Sequence, residues 1–390
     1  MQSVINQIVS WSKVTFLLVF LLFFSGFSKA DEHPVENEKF DAGKLIIEHV
    51  ADKHDWHILG DEKHGVSLPL PIIVYNKERG LTSFMSSKFH HGEMAYGGYK
   101  LHHGKIIAVN ETYEVPADIA TENEELTAST YDISITKNVA ALFVSLIILV
   151  WVFMSVAKSY KRRVGETPKG MQAFVEPLII FVRDDIAKGS IGPKYYKYMP
   201  YLLTVFFFIL INNLMGLIPI IPGGANVTGN LAVTGTLAII TFLITTFSAN
   251  KHYWRHVFAM PGVPIPVLII LTPIEILGIF LRPFVLMIRL FANITAGHII
   301  VLSFFSLIFI FGEMNAAVGL GVSVVSVAFV VFMTMLELLV AFLQAYVFTL
   351  LSAIYFGAAM EEHDHQHEEN SGEEHPHFSG ERHIAEAALI

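Results

Sequence analysis

Residues Val322–Phe356 read VSVVSVAFVVFMTMLELLVAFLQAYVFTLLSAIYF, an apolar run with no glycine, no proline, no basic residue and one carboxylate, Glu337. As one helix this stretch would extend roughly 52 Å at 1.5 Å per residue. The hydrocarbon layer of a membrane is only about 30 Å thick. Two spans would need a turn, and the stretch offers no turn residue. A single, strongly tilted helix is the cheaper solution, well beyond the usual tilt of roughly 20°. Pro264–Phe311 precedes it, another long apolar run whose ionisable groups are Glu275, Arg282, Arg289 and His298. Between the two lies a short break, Gly312-Glu313-Met314-Asn315. The pair reads as a long, strongly tilted antiparallel hairpin.

Three more apolar segments precede this hairpin: Val139–Ala157, Tyr201–Ile221 and Leu231–Ser248. The expected fold class is therefore an all-α membrane protein with five transmembrane helices, occupying residues 135–360. Its composition agrees, with 53% hydrophobic and 16% charged residues. There are no cysteines, which excludes a disulfide framework and thiolate chemistry. After the first span come Lys158, Lys161, Arg162, Arg163 and Lys169, and after the third Lys251 and Arg255. Basic loops face the cytoplasm, so the chain before the first span lies outside it. An amphipathic helix over Met171–Arg183 is expected on the inner membrane surface.

The N-terminus agrees on direction. Lys13 precedes an apolar core from Val14 to Phe24, then Ser28-Lys29-Ala30 offers a cleavage site. Residues 1–30 read as a signal peptide; the alternative is an uncleaved first helix. Residues 31–130 hold nine of the eighteen histidines and strand-like runs such as Val66–Tyr75, with turns at Gly92, Gly97, Gly98 and Gly104. They predict a small β-rich periplasmic module. Its pairs His90-His91 and His102-His103 show no recurring ligand spacing, so surface histidines are favoured over a metal site. The acidic tail 361–390 carries six histidines and reads as a solvated cytoplasmic segment.

A charge at the bilayer centre costs about 3 kcal/mol or more, so each one kept there needs a reason. Arg289 lies in Leu286-Met287-Ile288-Arg289-Leu290-Phe291-Ala292-Asn293, with no carboxylate within one turn. A guanidinium stays charged at physiological pH. Its partner is expected from another subunit, with Glu275 or Glu337 as the intrachain alternatives. Glu275, Arg282 and Arg289 are spaced by seven and share a helix face, with Asn293 one turn on. Glu275 stands roughly 21 Å from Arg289 along the axis, too far for an ion pair. In a hairpin turning at 312–315, Arg289 comes level with Gln344 and His298 with Glu337. An amide can orient a guanidinium without cancelling its charge, and a histidine–carboxylate pair can relay protons.

These residues also carry a resemblance. Ile288-Arg289-Leu290-Phe291-Ala292-Asn293-Ile294-Thr295-Ala296-Gly297-His298 resembles the core motif of F-type ATP synthase a subunits. Leu343-Gln344-Ala345-Tyr346-Val347-Phe348 resembles that family's last-helix motif, and Asn212-Asn213-Leu214-Met215-Gly216-Leu217-Ile218-Pro219 its second-span motif. The likeness covers about 135–360 in consistent order. It implies a non-catalytic membrane subunit; no cofactor or metal is expected, and the signal peptide favours a bacterial inner membrane over a mitochondrial one. Implied partners are a c-subunit ring, a peripheral-stalk b subunit and the rest of the complex, with lipid and protons around it and no nucleic acid. Two offset half-channels would reach the ring, separated by Arg289. His298 and Glu337 would line the outer half-channel and Glu275 would lie near the cytoplasmic one. A secondary transporter binding an anionic substrate at Arg289 is the alternative, but it predicts inverted repeats with broken helices, and none is visible.

Overall fold

The computed structural model describes residues 41–59, 66–102, 104–162, 166–218, 224–258, 260 and 263–360. The expected signal peptide and the histidine-rich tail lie outside the described residues.

Helix α1 (Ala42–Val50) opens the described chain, and nine strands follow. They are β1 (Asp55–Leu59), β2 (Val66–Pro69), β3 (Pro71–Asn76), β4 (Gly80–Met85), β5 (Met94–Ala95), β6 (Tyr99–His102), β7 (Lys105–Ala108), β8 (Val115–Pro116) and β9 (Thr130–Asp132), with short helix α2 (Glu124–Ala128) before β9. The strand-like run 66–75 is not one strand. Pro69 and Pro71 flank a break at Leu70, and proline belongs at strand ends because it cannot donate to the ladder. The two halves join different sheets: β2 pairs with β1, while β3 lies between β4 and β9. All pairings are antiparallel. Alternation along β3 buries Ile72, Val74 and Asn76. Ile72 and Val74 meet Phe89, Tyr99 and Ile106 in a small core. The β3–β4 turn is closed by Asn76, whose Oδ1 accepts from the backbone of Glu78 and Arg79 at 2.8 and 3.2 Å. The four glycines expected at turns all have positive φ. His90 and His91 also adopt left-handed backbone, at φ 45° and 58°. His91 Nδ1 lies 3.5 Å from Asp55 Oδ2. Among the described residues there is no group of three or more metal-ligating side chains.

Among the described residues, five helices are long and apolar enough to cross a membrane. They are α3 (Lys137–Arg162), α5 (Met199–Leu217), α6 (Leu231–Ser248), α8 (Ile265–Met314) and α9 (Ala316–Met360), with α4 (Met171–Phe181) and α7 (Lys251–Phe258) in the connections. Helix α5 is the central element. Its aromatic run buries Phe206, Phe207 and Phe208 against α9 residues Ala345, Phe348 and Phe356. Helix α4 continues through a π-helical stretch, Val182–Lys188, and plants Val175, Val182 and Ile186 in the same core. Arg183 and Lys188 both bond Asp184, at 2.7 and 2.6 Å, and hold its carboxyl well below the usual range.

Helices α8 and α9 have 50 and 45 residues and run against each other as the expected hairpin. The turn is one residue long. Asn315 is extended, and its Oδ1 accepts from Ala317 N at 2.8 Å, capping α9. A side chain on Gly319 would overlap the backbone of Gly312, so two glycines let the helices close at the turn. Further along, Phe304 and Phe329 stack with centroids 5.1 Å apart.

Candidate functional site

One face of α8 carries Glu275, Arg282, Arg289 and Asn293, as heptad spacing requires. Glu275 and Arg282 pair across two turns, with Oε1 3.5 Å from Nη2. Arg282 also donates to Tyr253 Oη at 3.3 Å and lies 5.7 Å from the Tyr355 ring centroid. Glu275 is thus engaged by Arg282, a partner the sequence reading did not assign although the spacing of seven was its signal.

Arg289 differs from Arg282. It is exposed on α8, and among the described residues it forms no hydrogen bond and no ion pair. Its surroundings on that face are Val285, Ala292, Asn293 and Ala296, all exposed and mostly small. A fixed cation therefore stands on an open helix surface with no counter-charge paired to it among the described residues.

The amide expected level with Arg289 has another partner. Gln344 is buried on α9, and its Oε1 accepts from Asn293 Nδ2 at 2.7 Å. Asn293 stands one turn beyond Arg289 on the same face, so a small drift in hairpin register exchanges one for the other. Two neutral amides satisfy each other, and the guanidinium is left uncompensated.

Glu337 lies against Gly297, close enough that a side chain there would overlap its carboxylate. His298 follows immediately and sits beside α5. A Cβ on Gly216 would stand 3.7 Å from His298 Nε2 and 3.5 Å from the Ala225 carbonyl. Asn213, buried on α5, donates to the Ala341 carbonyl at 3.1 Å and accepts from Thr228 Oγ1 at 2.7 Å. Ala341 is one turn from Glu337. His298, Glu337, Asn213 and Thr228 thus form a polar patch where α5, α8 and α9 meet the loop before α6. Asn213 and Thr228 were not among the expected site residues. Asn213 stands in the quoted second-span motif, whereas Thr228 carries no local signal.

A small, partly open and largely apolar pocket lies on the other side of Arg289 along α8, lined by Ala238, Thr241, Phe242, Tyr253, Arg282 and Tyr355 among others. The polar patch at His298 and the pocket at Arg282 are therefore separated along α8, with Arg289 between them.

Comparison with known proteins addresses the same residues. A family model described as ATP synthase A chain matches residues 139–357, which spans α3 to α9 and includes every site residue above. A model described as a domain of unknown function matches residues 45–133, the strand-rich module. Among curated relatives, ATP synthase subunit a of Chloroherpeton thalassium is 46% identical over 239 residues, 60% of this chain and 69% of the relative. ATP synthase subunit a 2 of Chlorobaculum tepidum is 46% identical over 269 residues, 67% and 73% of the two chains. ATP synthase subunit a of Chlorobium phaeobacteroides is 42% identical over 290 residues, 73% and 81%.

Proposed function

Because the chain belongs to the ATP synthase A-chain family, and so is a proton-translocating membrane subunit of an F-type ATP synthase complex, we propose that Arg289 is the fixed charge against which the carboxylates of a rotating c-subunit ring discharge their protons. One observation carries this reading: Arg289 is exposed and unpaired among the described residues, while Arg282, two turns away, is paired with Glu275. A guanidinium facing a carboxylate favours the ionised form, and lipid favours the protonated form. A ring carboxylate reaching Arg289 gives up its proton, and one leaving into lipid must first regain one. Directional rotation follows if protons are supplied on one side of Arg289 and removed on the other.

The polar patch and the Arg282 pocket on either side of Arg289 along α8 supply those paths. His298, Glu337, Asn213 and Thr228 line the outer half-channel. The pocket lined by Arg282, which pairs with Glu275, serves the cytoplasmic one. Asn293 and Gln344 brace the hairpin beside Arg289. The exposed faces of α8 and α9 meet the ring and lipid, with a peripheral-stalk b subunit holding this chain against rotation. The subunit itself is non-catalytic; ATP chemistry belongs to the head. Basic loops at 158–169 and 251–255 favour a cytoplasmic placement for those connections, which puts the strand-rich module in the periplasm of a bacterial inner membrane. Each proton crossing gains about 2.3 kcal/mol per 100 mV, delivered as torque.

The deciding experiment measures ATP-driven and passive proton flux in membrane vesicles at matched complex levels. Arg289→Ala is expected to abolish pumping while the complex still assembles. Arg289→Lys is expected to fail too, because an ammonium can lose its proton when desolvated and lacks the planar fork. Near wild-type pumping by Arg289→Ala would make the arginine structural and end this reading.

A further inference from the structure

The loop before α6 is buried far more than a connection usually is. Ala225, Asn226, Val227 and Thr228 are between 1% and 6% exposed. Trp56 of β1 is 4% exposed and packs with Ala225, Val227 and Ala141. The same part of the module grips the start of α3. Asp52 accepts from Asn138 N at 3.0 Å and from Thr136 Oγ1 at 2.9 Å, and Lys137 N donates to the Lys53 carbonyl at 2.8 Å. The module is thereby fastened to the first span and to the loop together.

That loop is part of the polar patch. Thr228 donates to Asn213, and the Ala225 carbonyl and His298 Nε2 converge on Gly216. Between Ala225 and Thr228 stands Asn226, whose amide oxygen and nitrogen are both buried without a partner among the described residues. A side chain on Gly229 would overlap this amide, so glycine makes the room for it. Burying an amide with neither atom bonded is strongly unfavourable, and such groups are ordinarily satisfied by bound water. An amide offers both donors and an acceptor and does not titrate, which suits it to hold water without trapping a proton.

We infer that the strand-rich module is a clamp on the outer mouth of the proton path, in which Trp56 seats loop 224–230 so that Asn226 holds water leading to His298 and Glu337. The inference rests on the outer half-channel reading given above. Trp56 is a positioning residue, acting only through the loop, and Asn226 is the group that touches the water. Together they give the module a role in proton delivery that the membrane helices alone do not fill.

The test uses the whole synthase in inverted vesicles. Passive proton conductance is measured after the catalytic head is stripped, with the pH inside the vesicles, which is the outer side, varied independently. Asn226→Leu and Trp56→Ala are each expected to lower conductance severalfold, and Trp56→Phe to restore most of it. In the two defective variants conductance should keep rising as outer pH falls through a range where wild type has levelled off, while its dependence on cytoplasmic-side pH stays unchanged. A merely structural defect would scale conductance without altering the outer-pH profile. If Trp56→Ala prevents assembly, Asn226→Leu alone decides. Arg289→Ala is run alongside. Should it abolish pumping while Asn226→Leu conducts like wild type, the clamp is wrong and the half-channel reading stands. Should Arg289→Ala pump normally, the half-channel reading itself fails.

Discussion

Gly297 leaves no room for a side chain between α8 and α9. Its missing side chain is where the Glu337 carboxylate lies. Gly297→Ala must push that carboxylate or part α8 from α9. Overpacking of this kind costs about 1–3 kcal/mol. The expected outcome is a severalfold loss of proton flux with the complex still assembled, and Gly297→Ala combined with Glu337→Asp should recover part of it, since a shorter acid withdraws from the added methyl. Flux in vesicles at matched complex levels checks both. In the module, burial by itself would raise the Asp132 pKa, but hydrogen bonds from His54, at 2.8 Å, and from Ser134 outweigh it and hold the carboxyl below its ordinary value. A depressed carboxyl contributes stability that is complete above its unfolded pKa and is lost as pH falls through the folded one. Hydrogen-exchange protection of β9 should therefore be steady near neutrality and drop below about pH 4, with Asp132→Asn removing that acid step.

At the scale of elements, the α8–α9 hairpin was legible as a hairpin but not in its fine register. A long run without glycine or proline dictates a continuous helix, and a single polar break dictates where it turns. Counting from that break assumes that both helices advance equally. Gly312 and Gly319 touch at the turn, Phe304 meets Phe329, Gly297 meets Glu337, and Asn293 bonds Gln344. By the last of these the pairing has slipped about one turn from the simple count. Helices crossing at an angle and packing by side-chain size drift in this way. Cysteines replacing Asn293 and Gln344 should crosslink more readily than those replacing Arg289 and Gln344, with 304 and 329 a further close pair. Preferential crosslinking of 289 with 344 would restore the simple count.

For the whole molecule, the prediction is topological. The strand-rich module and the basic loop after α3 should face opposite sides of the membrane. Cysteines placed at Ser83 and Lys169, both exposed, should react with an impermeant thiol reagent from opposite faces, in intact spheroplasts and inverted vesicles respectively. Labelling from one side only would overturn the proposed orientation. The fastening of the module through Asp52, Lys53 and Trp56 further predicts that it does not behave as a free domain on a linker.

Membrane crossing and the positions of the spans follow from the order of residues alone, because hydrophobic length against bilayer thickness is a local property. The sequence also singled out Arg289, since a permanent charge without a nearby acid is visible one turn at a time, and the order of three motifs pointed to the family. Tertiary structure alone decided which polar groups meet. Glu275 takes Arg282, Gln344 takes Asn293, Asn213 reaches Thr228, and Trp56 closes over Ala225 and Val227. The Gln344–Asn293 and Trp56 contacts join residues far apart in the chain. Their pairing depends on how helices drift and on which loop a distant module covers, and no local pattern of apolar and polar residues encodes that.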